Sequence, residues 1–189
     1  LDGRSAAAQR DWLALQGPHN AQNAACAIAA CRALGLPDAA IMAALKTYPG
    51  LPHRMERVRE IGGVLYVNDS KATNPTSTAP ALGAYPAIHW ILGGLAKTDD
   101  LDACEPWLGH VKAAYTIGKA GPLFARLLTG KVPEVTEAGT LEAAVTAAAA
   151  AAKPGEVVLL SPACASYDQF SDFEARGRAF AEAVGKIAP

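Results

Sequence analysis

Short apolar runs recur along the chain from about residue 53 onward, and each is followed by polar or glycine residues and then by a helical pattern. An alternating run ends at a Gly-Gly pair, which is typical of a hairpin between two strands. Strands are predicted at Met55–Ile61, Val64–Val67, Ile88–Leu92, Ala113–Ile117, Glu134–Thr136 and Glu156–Leu160. Helices are predicted at Pro75–Tyr85, Asp102–Leu108, Pro122–Leu128, from Leu141 onward and at Phe170–Val184.

This rhythm of strand, turn and helix is typical of the α/β class. Strands joined through helices pair in parallel, and the helices cover both faces of the sheet. The hairpin at the start adds one antiparallel strand at an edge. The pattern therefore predicts a mostly parallel sheet with one antiparallel edge strand and helices on both faces.

The first fifty residues follow a different pattern, with helix formers and no strand. Residues 1–17 are polar and alanine-rich and read as a linker leading into a short strand or turn. Helices are predicted from Asn20, as N-cap, to Leu34 and from Pro37 to Lys46. Two short helices do not form a domain, so residues 1–50 are expected to pack against something else, and residues 51–189 to form the α/β domain.

Charge and composition narrow the function classes. The 189 residues carry a formal net charge of −1, which gives no reason to expect nucleic acid or a membrane as partner. Alanine raises the hydrophobic fraction to 51%, but no apolar run reaches the roughly 18 residues that span a bilayer. The start of the chain has no signal-peptide pattern. These features favour a cytoplasmic protein.

The four cysteines form no CxxC pair and have no histidine at metal-ligand spacing. They are expected to be buried free thiols in a reducing compartment rather than metal ligands or disulfides. The histidines are equally unspecific. His53, beside Arg54, is a candidate nucleotide contact, His19 lies at a possible helix start, and His89 and His110 are expected to be packing or surface residues.

Three of the predicted strands end in polar or glycine-rich segments, at 69–74, 93–97 and 161–168. The carboxyl ends of parallel strands share one edge, which is where such sheets bind ligands. Lys97, after a double glycine, and Ser166, near a helix start, are suited to an anion. The segments therefore predict an anion pocket, with ordinary polar loops as the alternative. The chain contains no GxGxxG, GxxxxGK[ST] or GxSxG motif.

Five short motifs occur in an order that resembles the Mur ligases, and together they cover nearly everything from residue 17 onward. They are His19-Asn20-x-x-Asn23-Ala24, Leu51-Pro52-His53-Arg54, Asn68-Asp69-Ser70-Lys71-Ala72-Thr73-Asn74, Gly93-Gly94-x-x-Lys97, and the string from Leu160 through Phe170, which continues in Phe173-Glu174-x-Arg176-Gly177. Each motif is weak alone, and their order makes the resemblance specific.

The resemblance implies three domains: one that binds a UDP-sugar, a central one with the phosphate-binding loop for ATP, and a Rossmann-like third. Residues 1–50 resemble the end of the central domain and residues 51–189 the whole third domain. The remaining domains of the same enzyme are therefore expected partners. ATP and Mg²⁺ are the implied cofactors, with the metal ligands outside this chain, so no residue here is assigned to the metal.

The implied reaction is ATP-dependent amide formation through an acyl phosphate. The strings at 69–74 and 161–170 are most similar to the family members that add D-glutamate to UDP-N-acetylmuramoyl-L-alanine in peptidoglycan synthesis. By resemblance, Asn23 contacts adenine, Arg54 the ribose or phosphate, and Asp69 the ribose hydroxyls.

For D-glutamate, the resemblance assigns Thr73 and Lys97 to one carboxylate, and Ser166 and the backbone of Phe173 to the other. Lys71 is expected at the same charged centre, so the two lysines are the candidate catalytic residues. Tyr167 departs from the leucine expected there, which puts the fit of the amino acid in doubt.

Two alternatives stay open: a related ligase, either another Mur ligase or one like folylpolyglutamate synthase, and a non-catalytic ligand-binding module. Because no phosphate-binding loop for ATP occurs in the chain, it is expected to be inactive alone.

Overall fold

A computed structural model describes residues 9–188. The chain divides into two compact units, the first ending at Leu51 and the second beginning at Pro52. Each unit has its own buried apolar cluster. The boundary falls at the position where the sequence pattern changes from helices alone to alternating strands and helices.

The first unit contains helices α1 (Pro18–Ala33) and α2 (Asp38–Thr47). Trp12 is buried among apolar side chains of both helices. The predicted cap at Asn20 is wrong, because the helix begins two residues earlier, after Gly17 with φ of 90°. Pro18 starts a helix well, since its fixed φ suits the first position. The side-chain amide of Asn20 instead donates a hydrogen bond to the backbone carbonyl of Gln16 at 3.0 Å.

The second unit is built on one six-stranded sheet in the order β1-β2-β6-β3-β4-β5. Only the pair β1–β2 is antiparallel, and the other pairs are parallel. The strands are β1 (Glu56–Ile61), β2 (Val64–Asn68), β3 (Ile88–Gly93), β4 (Val111–Ile117), β5 (Val135–Gly139) and β6 (Val157–Leu160). The predicted α/β fold, with its mostly parallel sheet and antiparallel edge strand, is confirmed.

The connecting segments cover both faces of the sheet, as predicted. They are α3 (Pro75–Leu82), a 3₁₀ helix (Asp102–His110), α4 (Gly121–Leu128), α5 (Leu141–Ala151) and α6 (Phe173–Gly185). The first three contribute to an apolar cluster with Trp90 on one face. The last two contribute to a cluster with Tyr66 on the other.

In the second unit, three predicted helices differ from the structure in type or by three residues at one end. Helix α3 ends at Leu82, three residues early, and Gly83 follows as its C-cap. The segment after Asp102 is a 3₁₀ helix rather than an α-helix. Helix α6 begins at Phe173 rather than Phe170, because the Asp172 carboxylate accepts a hydrogen bond from the amide of Ala175 at 2.6 Å and so fixes the N-cap.

The structure also tests the predictions made for two histidines and for the four cysteines. His89 lies between the Tyr115 hydroxyl at 3.0 Å and the Glu156 carboxylate at 2.9 Å, and His110 Nδ1 lies 3.0 Å from the carbonyl of Leu82, so both are packing residues. All four cysteines are free, and burial raises the pKa of the Cys104 and Cys164 thiols to about 12. The expectation of burial is wrong for Cys26, which is exposed. Within residues 9–188, no helix has the length and apolar character needed to cross a bilayer.

Candidate functional site

The polar segments that follow β2, β3 and β6 meet at one edge of the sheet. The amide of Asp69 donates to the carbonyl of Leu160 at 2.7 Å, and the amide of Gly93 donates to the carbonyl of Pro162 at 2.8 Å. Farther along, Leu95 and Ala165 form an antiparallel bridge. The segments are therefore held together by backbone hydrogen bonds, and they form one continuous rim.

The segment after β4 also belongs to this rim, which the sequence pattern did not indicate. The amide of Lys119 donates to Oδ2 of Asp168 at 2.8 Å. Gly118 has φ of 66°, and a Cβ on it would collide with the Asp168 carboxylate. The sequence shows Gly118 after β4, but it does not show that Asp168 lies beside this glycine in the rim.

Asp69 is buried at the end of β2, with an exposed fraction of 7%. Its carboxylate accepts hydrogen bonds from the Ser161 hydroxyl at 2.8 Å and from the amide of Met55 at 3.2 Å. Burial raises the pKa of Asp69 to about 7, although both hydrogen bonds and the nearby Arg54 charge oppose the shift. This carboxyl is thus fixed by the protein before any ligand binds.

Lys97 and Thr73, the pair expected at one carboxylate of D-glutamate, lie side by side. The Lys97 ammonium donates to the Thr73 hydroxyl at 3.3 Å, although the two residues are 24 positions apart in the sequence. Lys97 is exposed and Thr73 is half-buried. A ligand carboxylate at this point would find a cation and a hydroxyl together, the combination that gives charge-assisted hydrogen bonds.

Lys71 and Phe173 meet where the segment after β2 approaches the start of α6. The Lys71 ammonium lies 3.7 Å from the centroid of the Phe173 ring. An ammonium over an aromatic face is attracted by the ring's quadrupole. Phe173 occupies the first helical position, where the backbone N–H has no acceptor within the helix, so this N–H is suited to an anion.

Ser166 is buried, with an exposed fraction of 3%. Its carbonyl accepts from the amides of Gln169 at 3.1 Å and Phe170 at 2.8 Å, which gives the segment between β6 and α6 a tight turn. Tyr167 is largely exposed to solvent, with an exposed fraction of 71%. The residue that departs from the expected leucine therefore has no packing role in the described part of the chain.

Arg54 lies between His53 and Met55, which both adopt left-handed backbone angles, with φ of 61° and 49°. Such angles are uncommon for residues other than glycine and need support from their surroundings. The support comes from Asn68, whose amide lies 2.9 Å from Nδ1 of His53, and from the Asp69 carboxylate, which holds the amide of Met55. Arg54 itself is exposed.

Asn23 belongs to the first unit, where it is exposed on α1 and donates to Oδ1 of Asn20 at 3.4 Å. Its expected contact with adenine stays a prediction. For the metal, residues 9–188 contain no cluster of three or more His, Cys, Asp or Glu side chains placed to hold an ion. The described residues alone do not fit a Mg²⁺ site, and no chemical step is derived through that ion.

A family model described as "Mur ligase, glutamate ligase domain" matches residues 53–164, more than half of the chain. This chain belongs to the Mur ligase family. The match starts at His53 and includes β1 through β6, so it covers the sheet and most of the rim. The resemblance inferred from the five motifs is confirmed.

This chain is similar in sequence to curated Mur ligases. The UDP-N-acetylmuramoylalanine–D-glutamate ligase of Novosphingobium aromaticivorans is 62% identical over 176 residues, covering 93% of this chain and 40% of that protein. The enzyme of the same name from Zymomonas mobilis is 58% identical, covering 97% of this chain and 42% of that protein. The chain thus spans about two fifths of the length of these relatives.

Among solved structures, the UDP-N-acetylmuramate–alanine ligase MurC of Thermotoga maritima has a TM-score of 0.64 at 17% identity. The alignment covers 89% of this chain and 38% of that chain. At this identity the likeness concerns the fold alone. It shows that the six-stranded sheet with its flanking helices is the architecture of a Mur ligase.

Three buried residues of this Mur ligase domain were absent from the candidate residues: Asn68, Ser70 and Arg176. All three occur in the motifs that carry the family resemblance, which was the available signal. The sequence does not show that these side chains are buried, or that their hydrogen bonds join the end of β2 and the segment after it to α6. That information needs the packing of α6 against the end of β2.

Proposed function

We propose that this chain is the D-glutamate-binding part of an ATP-dependent ligase that acts on UDP-N-acetylmuramoyl-L-alanine in peptidoglycan precursor synthesis. The observation that carries the proposal is the Lys97–Thr73 pair, whose ammonium and hydroxyl are 3.3 Å apart at the rim. A free amino acid presents a carboxylate, and this pair offers it a cation and a hydroxyl in one place. The names of the relatives support the choice of amino acid.

D-glutamate has a second carboxylate, for which we propose a different part of the rim. Ser166 and the N–H of Phe173, at the first position of α6, supply neutral donors there. An anion at a helix N-terminus is favoured both by the free N–H groups and by the helix dipole. Two anchored carboxylates leave the amine as the free group of the amino acid, which is what an amide-forming ligase requires.

The chemistry we propose is attack of this amine on an acyl phosphate that ATP and the UDP-linked substrate have formed. A tetrahedral intermediate forms when the amine adds to the acyl carbon, and it collapses with loss of phosphate. We assign to Lys71, which lies between Asp69 and Thr73 in the sequence, the stabilisation of the negative charge on the departing phosphate. The rest of the contribution is orientation of the amine.

For the nucleotide, we propose that Arg54 and Asp69 contribute a part of the ATP site. Asp69 accepts hydrogen bonds from two protein donors, and each carboxylate oxygen can still accept one from a ribose hydroxyl.

We assign residues 1–50 to the end of the central ATP-binding domain and residues 51–189 to the C-terminal domain. The phosphate-binding loop and the Mg²⁺ ligands then lie elsewhere in the same enzyme, in the cytoplasm.

The test uses the complete enzyme that contains this chain. ADP release is measured with ATP, Mg²⁺ and UDP-N-acetylmuramoyl-L-alanine, and with D-glutamate, L-glutamate, L-alanine, L-lysine or meso-diaminopimelate as the amino acid. Turnover with D-glutamate alone supports the proposal. A further reaction contains a folate and L-glutamate in place of the UDP-linked substrate and its amino acid. Turnover with another amino acid assigns the enzyme to another Mur ligase activity, and turnover only in the folate reaction assigns it to the folylpolyglutamate synthase class.

A second experiment tests whether this chain acts alone. The chain is incubated with the same substrates, and we expect no ADP, because its sequence has no GxxxxGK[ST] loop to grip the phosphates. Substrate-dependent ATP turnover by the isolated chain contradicts this expectation. No turnover by the complete enzyme with any amino acid favours a non-catalytic binding module.

A further inference from the structure

Ser70 is a fully buried residue between Asp69 and Lys71, and all its polar groups are engaged. Its amide donates to Oδ1 of Asn68 at 3.1 Å. Its hydroxyl donates to the carbonyl of Phe173 at 2.8 Å and accepts from Nε of Arg176 at 2.9 Å. One small side chain therefore joins the segment after β2 to the first turn of α6.

Arg176 completes this connection with a second bond, from Nη2 to the carbonyl of Ser70 at 2.9 Å. The two bonds form a fork around a single residue, a geometry that arginine provides and lysine does not. We call this arrangement the Ser70–Arg176 clamp. It comprises the two bonds from the guanidinium and the bond from the Ser70 hydroxyl to Phe173.

The clamp carries a desolvation penalty, because it buries the charged side chain of Arg176. Arg176 has an exposed fraction of 1%, and within residues 9–188 no Asp or Glu lies within ion-pair distance of it. Its Nη1 is buried without a hydrogen-bond partner among the described residues. Burial lowers the pKa of Arg176 to about 10, although the charge of Asp168 opposes the shift, so its desolvation is only partly offset. A buried cation that hydrogen-bonds only to neutral oxygens is destabilising relative to an apolar contact of the same size. Such a cost is expected where geometry matters more than stability.

The geometry that the clamp fixes is the pairing of Lys71 with Phe173. Lys71 follows Ser70 directly in the chain, and the carbonyl of Phe173 is the acceptor of the Ser70 hydroxyl. Ser70 is therefore linked to both partners of the 3.7 Å contact between ammonium and ring. It is linked to Lys71 through the backbone and to Phe173 through a hydrogen bond.

We propose that Ser70 and Arg176 are positioning residues that set the first turn of α6, and with it the D-glutamate contact at Phe173, against Lys71. The proposal rests on the function proposed above, because it concerns the same amino-acid site. Neither residue touches the reacting groups. They act through Phe173 and Lys71, and a shift of about 1 Å in such contacts costs up to about a hundredfold in rate.

The kinetic test compares two variants of the complete enzyme, each of which lacks one side-chain hydroxyl. Ser70→Ala removes the hydroxyl and both of its bonds. Thr140→Ala is the matched control, since it also removes one hydroxyl, the one that accepts from the amide of Ala143 at the start of α5. We expect Ser70→Ala to raise the KM for D-glutamate about tenfold and to lower kcat, with the KM for the UDP-linked substrate changed less than about twofold.

Thr140→Ala is expected to lower the thermal midpoint while leaving the KM for D-glutamate unchanged. Arg176→Lys, which keeps the charge and loses the fork, is expected to change the kinetics in the same direction as Ser70→Ala. It also serves as the second variant if Ser70→Ala fails to fold. An unchanged KM for D-glutamate in either Ser70→Ala or Arg176→Lys overturns the proposal, as does a rise in the KM for all substrates alike.

An NMR measurement on the chain itself separates the clamp from the proposed function. The protons next to the Lys71 ammonium lie over the Phe173 ring, so their signals are expected at unusually high field. Ser70→Ala should return these signals to ordinary lysine values, and Thr140→Ala should leave them unmoved. Unmoved signals in Ser70→Ala overturn the clamp. Failure of the enzyme to use D-glutamate would instead reject the proposed function, while the NMR result still decides the clamp.

Discussion

Gly177 leaves no space for a side chain, because the imidazole of His53 occupies the position. A Cβ on Gly177 would lie 2.8 Å from Cε1 of His53 and still closer to Nδ1. The ring cannot easily retreat, since the Asn68 amide holds its Nδ1 at 2.9 Å. The contact joins α6 to the turn before β1, which carries Arg54.

Substitution Gly177→Ala should therefore destabilise the chain. Overpacking at a site that cannot relax costs about 1–3 kcal/mol in the free energy of unfolding, measured by urea denaturation. The control is Gly185→Ala, at the end of the same helix, where an added Cβ meets nothing within 4 Å. This control should be neutral or slightly stabilising. Equal stability of the two variants would contradict the steric account.

The contact between Lys71 and Phe173 is tested by a double-mutant cycle with Lys71→Met and Phe173→Leu. Both substitutions keep apolar volume and remove either the cation or the ring. We expect a coupling of about 0.5–1 kcal/mol in the free energy of unfolding, the range of a partly exposed cation–π pair. The control cycle pairs Lys71→Met with Phe170→Leu and should give no coupling. Coupling of equal size in both cycles would rule out a specific contact.

Lys97→Ala should weaken the binding of D-glutamate by the complete enzyme. Loss of a charged hydrogen-bond donor costs about 1.5–3 kcal/mol, which corresponds to a rise of roughly tenfold to a hundredfold in the KM for D-glutamate. The control is Lys131→Ala, another exposed lysine, which forms an ion pair with Glu105 away from the rim segments. An unchanged KM for D-glutamate in Lys97→Ala would reject the assignment of Lys97.

Asp69 should make the stability of the chain depend on pH. Its pKa is raised from 3.8 to about 7 by burial, so between these values the folded state binds a proton that the unfolded state has released. The free energy of unfolding then falls as pH rises from about 4 to 7, by at most about 1.4 kcal/mol per pH unit. The contribution is constant above this window.

The variant Asp69→Asn isolates this effect. The amide oxygen can still accept from the amide of Met55, and the Ser161 hydroxyl can turn toward Thr78, 3.1 Å away. We expect the variant to lose the fall in stability between pH 4 and 7, and to gain stability over the parent chain at pH 8. Urea denaturation at several pH values measures both. Parallel pH profiles for the two chains would contradict the raised pKa.

Tyr167→Leu should have little effect, although Tyr167 departs from the expected leucine. Because Tyr167 is 71% exposed, the substitution removes no packing, and changes at such positions stay within about 0.5 kcal/mol. The KM for D-glutamate and the thermal midpoint are therefore expected to remain unchanged, within about twofold and 2 °C. A larger change in KM alone would show that the tyrosine reaches the bound amino acid.

The order of elements was predictable because strands and helices differ in the period of their apolar residues. Helix ends were less predictable, and each error has a local cause. Helix α6 starts at Phe173 because Asp172 caps it, while the apolar pattern alone extends back to Phe170. Helix α1 starts at Pro18 because proline suits the first turn, although Asn20 is the better cap by residue type.

The candidate site divides in a similar way. Lys97 and Thr73 were expected together from the motifs, and the 3.3 Å contact brings them together. The burial of Asp69 and the bonds of Arg176 were not expected, because they depend on segments about 90 and 106 positions away in the chain. No local pattern encodes which distant segment covers a residue.

The sequence by itself determined the class of fold, the succession of strands and helices along the chain, the family, and the short motifs that form the rim. These follow from local periodicity, turn residues and motif order, which are properties of neighbouring residues. The tertiary structure decided which of these polar residues are exposed to solvent and which are buried against other segments. Ser70 and Lys71 are adjacent in the chain, yet Ser70 is fully buried against α6 while Lys71 reaches the Phe173 ring. That difference arises because burial is set by the helix packed across the strand end.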